Sequence, residues 1–259
     1  MDERRRLSFG TVAELYDAAR PSYPAELIDD VIAYAGCTPG GRVLEVGAGT
    51  GKATELFAAR GLSIVALEPS EAMAAVASRR AAAGVEIRIT DFESAEVPEH
   101  GFELVYSAQA WHWVTPDRRY GLARRALRPG GALAAFWNRP DWARCPLAGE
   151  LTAAYARSGV GLQDAGPMYP GAPTELDIGQ DWNVQVKDGF GADETRIYSW
   201  ADDYTAAEYV DLMATHSDHI VLGDRERDRL FAEVGAVIEA NGGTLTLPYA
   251  TLLGLARVR

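Results

Sequence analysis

Residues 43–52, with the sequence VLEVGAGTGK, constrain the fold of this chain more than any other stretch. An apolar run carries the acidic Glu45 and leads into Gly47, Gly49 and Gly51, which stand at every second position. Glycine allows positive φ angles in a tight turn, and because it has no Cβ, a ligand can lie directly on its backbone. The stretch therefore predicts a strand, a tight turn and the start of a helix, with a ligand against the turn.

Predicted strands and helices alternate through the first half of the chain. The strands are Arg42–Val46, Ser63–Leu67, Val85–Ile89, Phe102–Ser107 and Ala132–Trp137, and the helices between them are Lys52–Arg60, Ser70–Ala83 and Arg118–Leu127. Two further helices, Phe9–Ala19 and Ala25–Ala35, precede the first strand. This alternation is typical of βαβ units, which build a parallel sheet with helices on both faces.

The pattern changes after residue 137. The predicted elements there are helices at Cys145–Ser158, Tyr204–Thr215 and Asp224–Ala240, and strands at Glu194–Trp200 and Leu245–Val258. Residues 159–191 are rich in Gly, Pro and Asp and are expected to be irregular. Since no repeat or low-complexity linker divides the chain, we expect one domain over residues 1–259.

Charge and cysteine content restrict the partners and the compartment. The formal net charge of -12 makes nucleic acid an unfavourable partner, because the surface repels phosphates. No apolar run is long enough to cross a bilayer, and the N-terminus lacks the apolar core of a signal peptide, so no membrane association is expected. Cys37 and Cys145 are isolated, which fits a reducing cytoplasm and gives no metal spacing.

Acidic residues close the first three strands and indicate the kind of ligand. A dinucleotide fingerprint would need glycine where the chain has Lys52, and Glu45 would repel a pyrophosphate. Glu68, about 20 residues further on, is placed to accept the two ribose hydroxyls. Asp91 can accept from an adenine amino group, although aspartate is also common in turns. The ligand inferred is a nucleoside with a cationic tail, a description that S-adenosylmethionine fits.

Several motifs together resemble the class I S-adenosylmethionine-dependent methyltransferases. The matching runs are Glu45–Gly51 (EVGAGTG), Glu68–Ser70 (EPS) followed by Met73, Asp91–Phe92, Leu127–Gly131 (LRPGG) and Tyr16–Pro24 (YDAARPSYP). The last run resembles the small-molecule branch, methyltransferase type 11, that includes trans-aconitate methyltransferase. The resemblance implies a Rossmann-like α/β fold: a seven-stranded, mostly parallel sheet with an antiparallel last strand, helices on both faces and a helical insertion in the C-terminal half. It divides the chain into an N-terminal helical cap (1–35), a cofactor-binding core (36–140) and a substrate-side insertion with the final strands (141–259).

The resemblance also implies roles for individual residues. The cofactor-binding set is Tyr16, Arg20, Glu45, Gly47, Ala48, Gly49, Gly51, Glu68, Pro69, Met73, Asp91, Phe92, Ser107, Ala108 and Trp111. The substrate-binding set is Tyr23, Trp111, His112, Trp113, Trp137 and Asn138. His112 is the candidate general base, because its ordinary pKa lies near neutrality. The expected cofactor is S-adenosyl-L-methionine, with S-adenosyl-L-homocysteine as product and no metal.

Alternatives stay open at this stage. The tryptophans around His112 could be core side chains, and the histidine could position or pack instead of reacting. His216 and His219, in the C-terminal helices, are expected at the surface more than in a pocket. The lead hypothesis is in-line methyl transfer to a small-molecule O, N or C nucleophile, such as a carboxylate. The alternatives are a catalytically inactive cofactor-binding protein that acts through partner contacts and, less favoured, an NAD-dependent oxidoreductase. The oligomeric state is not predicted.

Overall fold

A computed structural model of the chain describes residues 13–160, 169–171, 178, 182 and 189–259. The strands are β1 Arg42–Val46, β2 Ser63–Leu67, β3 Val85–Arg88, β4 Phe102–Ala108, β5 Leu127–Pro140, β6 Glu194–Thr205 and β7 Thr244–Arg257. The helices are α1 Ala13–Ala19, α2 Ala25–Ala35, α3 Lys52–Ala58, α4 Glu71–Arg80, α5 Pro116–Ala126, α6 Ala148–Ser158, α7 Ala206–Ala214, α8 Ser217–Ile220 and α9 Asp224–Ala240. Short 3₁₀ turns cover Trp111–Trp113 and Trp142–Arg144.

Within the described residues, seven strands form one sheet in the order β3-β2-β1-β4-β5-β7-β6. The neighbours from β3 through β5 pair in parallel, whereas β7 runs antiparallel to both β5 and β6. This confirms the predicted Rossmann-like sheet with an antiparallel last strand. The chain order reverses between β1 and β4, and in such sheets ligands bind beyond the carboxyl ends of the strands at this point.

Some predicted boundaries are wrong because long-range pairing extends the strands. β5 is longer than the predicted strand Ala132–Trp137 at both ends, and it includes residues 128–131, where a break is expected. Its last nine residues pair with β7. β6 continues to Thr205, paired with Thr244, so α7 begins at Ala206 instead of Tyr204. A capping box formed by Thr205 and Glu208 fixes that start. Residues 9–12 of the first predicted helix, and most of the predicted irregular segment 159–191, lie outside the described residues.

Successive side chains of the central strands point to opposite faces of the sheet and pack into a separate apolar core on each face. On β4, Leu104 and Tyr106 join the core that also contains Phe57 of α3, while Val105 joins the core that contains Tyr120 of α5. A separate cluster packs α6, α7 and α9 against β7. This last cluster holds the end of α7 above the carboxyl edge of the sheet, which places it beside the site.

Among the described residues, no helix has the length and apolarity needed to cross a membrane. Within the same residues, no three His, Cys, Asp or Glu side chains lie grouped as metal ligands would.

Candidate active site

A cavity of about 300 Å³ lies at the carboxyl ends of β1, β2, β4 and β5. Its walls include Gly47 after β1, Glu68 after β2, Gln109 after β4 and Asn138 on β5. Because the carboxyl ends of parallel strands meet at one edge, residues far apart in sequence share this cavity. The cavity is therefore where the strand pattern predicts a ligand site.

The glycine turn forms one wall, and two of its glycines are needed for different reasons. Gly47 has a φ of 73°, and a Cβ there would lie 2.4 Å from the Cβ of Ala110. Gly49 has a φ of 59°, but a Cβ there would meet open space. The first glycine thus permits close packing within the protein, and the second leaves an accessible backbone surface beside the cavity.

Glu68 is held rigidly at the rim of the turn. One carboxylate oxygen accepts from the backbone N–H of Gly49 at 2.8 Å, and the other accepts from the N–H of Ser70 at 2.8 Å. The side chain is buried yet lines the cavity. Since each carboxylate oxygen has two acceptor positions, the carboxylate can receive further hydroxyl donors from a ligand while it keeps both backbone bonds.

Glu45 lies beneath the turn and does not line the cavity. Its Oε2 accepts hydrogen bonds from Thr54 Oγ1 at 2.5 Å and from the Tyr106 hydroxyl at 2.9 Å. Its Oε1 is buried without a hydrogen bond among the described residues. Burial raises the pKa of Glu45 from its ordinary 4.5 to about 7; the hydrogen bonds from Thr54 and Tyr106 oppose this, and the charge of Glu68 adds to it. An unpartnered buried carboxylate oxygen beside a ligand-accessible turn suits a cationic group.

Most of the predicted site residues line the cavity. They are Tyr16, Arg20, Tyr23, Gly47, Ala48, Gly49, Glu68, Pro69, Met73, Asp91, Phe92, Ala108, His112, Trp113 and Asn138.

The other predicted site residues, Glu45 among them, stand behind the cavity wall. Gly51 caps the start of α3, and the Ser107 hydroxyl donates to the Val46 carbonyl at 2.7 Å. Trp111 and Trp137 are fully buried in the core, as the alternative interpretation of these aromatics expects. These residues can shape the site only through their neighbours.

At one end of the cavity, Asp91, Phe92 and Met73 form a partly apolar wall. One carboxylate oxygen of Asp91 accepts from the Ser94 backbone N–H at 2.8 Å, which is the turn-forming bond that aspartate often makes. Ser70 accepts from the Met73 N–H at the start of α4. The wall combines a carboxylate with apolar surfaces, as a planar amino-bearing base would require.

The N-terminal segment and the end of α7 meet beside the cavity, where Tyr16 also packs against Met73. Arg20 donates from Nε to Thr215 Oγ1 at 2.8 Å and from Nη2 to the Thr215 carbonyl at 2.9 Å. Its guanidinium also lies 4.8 Å from the centroid of the Tyr16 ring. The amide of Asn138 donates to the Ser22 carbonyl at 2.9 Å, which ties the same segment to the sheet. The cavity is thus covered by parts of the chain almost 200 residues apart in sequence, since Arg20 and Thr215 are separated by 195 positions.

The expectation that His216 and His219 lie at the surface is wrong. His216 lines the cavity, and its Nε2 is buried without a hydrogen bond among the described residues. His219 is buried, and its Nε2 lies 2.9 Å from the Tyr155 hydroxyl. Burial, with the charge of Arg20 as a further cause, lowers the pKa of His219 to about 4 and that of His216 well below its ordinary value. Both imidazoles are therefore neutral near pH 7.

The cavity also contains residues outside the predicted sets: Lys52, Thr90, Gln109, Arg139, Leu212, His216, Ser217, Asp218 and Tyr249 are among them. Gln109 and Arg139 directly follow or end strands, so their position after predicted strand ends was the available signal. Gln109 adopts a φ of 60°, which is uncommon for a residue with a side chain. Residues 212–218 carry no local signal, because only the packing of α7 against the other helices brings them to the site.

The sheet topology and the glycine turn after β1 place the chain in the Rossmann-like class of folds. The family model described as a methyltransferase domain matches residues 44–135. An uncharacterized methyltransferase of Mycobacterium tuberculosis is 31% identical in a match covering 95% of this chain and 93% of that protein. A probable S-adenosylmethionine-dependent methyltransferase of Saccharomyces cerevisiae is 26% identical, covering 72% of this chain and 66% of the yeast protein.

Among solved structures, a protein from Anaeromyxobacter dehalogenans that is assigned as a type II methyltransferase shares the fold. The TM-score is 0.65 at 22% identity, over 92% of this chain and 97% of that chain. The chain belongs to the S-adenosylmethionine-dependent methyltransferases. S-adenosylmethionine is therefore its cofactor, and the alternative hypothesis of an NAD-dependent oxidoreductase is wrong.

Proposed function

We propose that the protein transfers the methyl group of S-adenosylmethionine by in-line displacement to an oxygen of a small molecule, a carboxylate in first place. The observation that carries this proposal is one cavity lined both by Glu68, a carboxylate pinned to the glycine turn, and by two arginines, Arg20 and Arg139. A covered cavity of about 300 Å³ favours a small acceptor. The net charge of -12 disfavours nucleic acid.

For the donor, each part of the cavity offers suitable groups. Glu68 would accept the ribose hydroxyls, and Asp91, with the apolar side chains of Phe92 and Met73, would hold the adenine. The open surface at Gly49 would receive the methionine part, and Glu45 behind the glycine turn would favour its ammonium group by charge without direct contact. When bound, the cofactor supplies a methyl group already activated by its sulfonium.

Arg20 is our candidate for the cofactor carboxylate. Within the described residues its hydrogen bonds go to Thr215 and to no acidic side chain, so its charge is held over the cavity. A guanidinium pairs well with a carboxylate because both groups are planar and can form parallel hydrogen bonds. The anchoring by Thr215 fixes the guanidinium before the ligand arrives, which lowers the entropic cost of binding.

Arg139 is our candidate for the acceptor carboxylate. It follows Asn138 on β5 and lines the cavity, as Tyr23, His216 and Tyr249 also do. A carboxylate nucleophile needs no general base, so the work of the protein is to align the two reactants and to exclude water.

The placement in the trans-aconitate branch is not tested by the matches above and stays a prediction. The free thiols of Cys37 and Cys145 support a reducing cytoplasm as the location.

Calorimetry with S-adenosylhomocysteine, adenosine and NAD tests the donor site. We expect Glu68→Ala to weaken S-adenosylhomocysteine and adenosine alike by at least about tenfold, because both carry the ribose. Arg20→Met should weaken only S-adenosylhomocysteine, since adenosine has no carboxylate. Glu71→Gln, an exposed carboxylate at the start of α4, is the matched control. Equal losses for both ligands in Arg20→Met would contradict the assignment of Arg20.

Transfer of a labelled methyl group to a metabolite extract tests the acceptor class. We expect label in the small-molecule fraction, and we expect mild alkali to release it as methanol, because carboxyl methyl esters hydrolyse under these conditions whereas N-methyl and C-methyl groups do not. Arg139→Met should slow labelling without a change in S-adenosylhomocysteine affinity. Label that survives alkali would refute the carboxylate proposal, and label in protein or nucleic acid would refute the small-molecule proposal.

A further inference from the structure

A buried tryptophan behind the cavity contacts the histidine on its wall. Trp137 on β5 is fully buried, and its indole Nε1 lies 3.1 Å from Nδ1 of His112. An indole N–H can only donate a hydrogen bond, so Nδ1 of His112 must be the acceptor and carries no proton. A neutral imidazole with an unprotonated Nδ1 carries its proton on Nε2.

We propose that Trp137 is a positioning residue that locks His112 in the Nε2–H tautomer, so that His112 donates a hydrogen bond to the methyl acceptor and does not remove its proton. In this tautomer the lone pair on Nδ1 is occupied by Trp137, and Nε2 already carries hydrogen. The ring therefore offers no basic nitrogen to a substrate. This role in the reaction rests on the proposed function, while the tautomer itself is a property of the protein alone.

Both rings are held firmly enough for this lock to persist. Trp137 pairs through its backbone with Leu252 of β7, and its ring packs in the core on that face of the sheet. His112 sits in the middle of a 3₁₀ turn whose first residue, Trp111, is fully buried. Within the described residues His112 is the acceptor for the Trp137 indole. A change of tautomer or a second ring proton would leave a buried N–H without a partner, which native structures rarely tolerate.

Nitrogen-15 NMR of histidine-labelled protein tests the tautomer without any substrate. The signals of His112 are assigned by their loss in His112→Gln. We expect wild-type His112 to show an unprotonated Nδ1 and a protonated Nε2 across the neutral range. In Trp137→Phe the indole donor is gone, and the two tautomers should mix. Trp182→Phe, which removes an indole donor bonded to Asp193 away from the cavity, should leave the His112 signals unchanged.

The rate of methyl transfer provides a second, independent test of the role of Trp137. With a metabolite extract as the acceptor source, Trp137→Phe should slow methyl labelling by about tenfold while calorimetry shows unchanged affinity for S-adenosylhomocysteine. A proton on Nδ1 in the wild type, or identical tautomers in wild type and Trp137→Phe, would overturn the lock. If Trp137→Phe fails to fold, the wild-type spectrum still decides which nitrogen of His112 carries the proton. If the tautomer is confirmed but no methyl transfer is found, the proposed function is refuted while the assignment of the tautomer stands.

Discussion

Replacement of Glu45 by glutamine should change how the stability of this protein depends on pH. Glu45 is fully buried, and burial raises its pKa from 4.5 to about 7. Glutamine keeps a carbonyl oxygen for Thr54 and Tyr106 but cannot ionise. The substitution therefore removes the cost of holding a charge beneath the glycine turn and leaves most of the geometry intact.

The sign follows from where the carboxyl binds its proton. Between pH 4.5 and about 7 the folded state keeps the proton that the unfolded state has already released, so the wild type loses stability as pH rises through this window. The difference between the two pKa values corresponds to about 3 kcal/mol. The stability of Glu45→Gln relative to wild type should therefore rise by about 2 to 3 kcal/mol between about pH 5 and about pH 8.

Urea unfolding of wild type, Glu45→Gln and Glu239→Gln across that range measures this difference. Glu239 is exposed on α9, so its variant shares the loss of one carboxylate and should follow the wild-type profile. Differences between variants also cancel the repulsion within a protein of net charge -12. The reasoning would be refuted if the difference in unfolding free energy between Glu45→Gln and wild type varied by less than about 0.5 kcal/mol across this pH range.

Further substitutions test other contacts of the fold. Gly47→Ala should lower the free energy of unfolding in urea by about 2 kcal/mol or more, because φ is positive there and the new Cβ would overlap with Ala110. Ala110→Gly in the same protein should restore part of the stability. An undiminished stability of Gly47→Ala would contradict this. Asn138→Ala should cost about 1 to 3 kcal/mol and speed amide exchange in the loop whose carbonyl it holds. Gly254→Ala, whose Cβ would lie 2.4 Å from the Trp182 ring, should lower the melting temperature; an unchanged value would show that the ring can move.

Sequence predicts the elements best where strong local signals mark both ends. β1, β2, α2 and α9 begin and end where the sequence places them. The end of α2, for example, is marked by Gly36, which adopts a left-handed conformation at the C-terminal cap. β5 and β6 extend beyond the predicted C-terminal ends because residues 138–140 and 201–205 pair with β7, a partner far away in sequence. Local patterns contain no information about such pairing.

The same distinction applies to single side chains in the site. The turn Trp111–Trp113 is recognisable as unusual from its sequence, but only the fold decides that Trp111 points into the core while His112 and Trp113 line the cavity. Likewise, the sequence of His216 and His219 suggests two polar residues near a helix end. Their burial comes from the packing of α6, α7 and α9, which no local period reveals.

The wall of the cavity is built in two different ways. Gly47, Glu68, Asp91 and Gln109 each follow one of four neighbouring parallel strands, so the order of the strands fixes their spacing. The rest of the wall includes residues from separate parts of the chain, namely Tyr23, Arg139, His216 and Tyr249. Changes in the C-terminal helices near His216 can thus reshape the cavity without disturbing the residues that follow the parallel strands. A fixed scaffold that carries variable site residues is how one fold serves different functions.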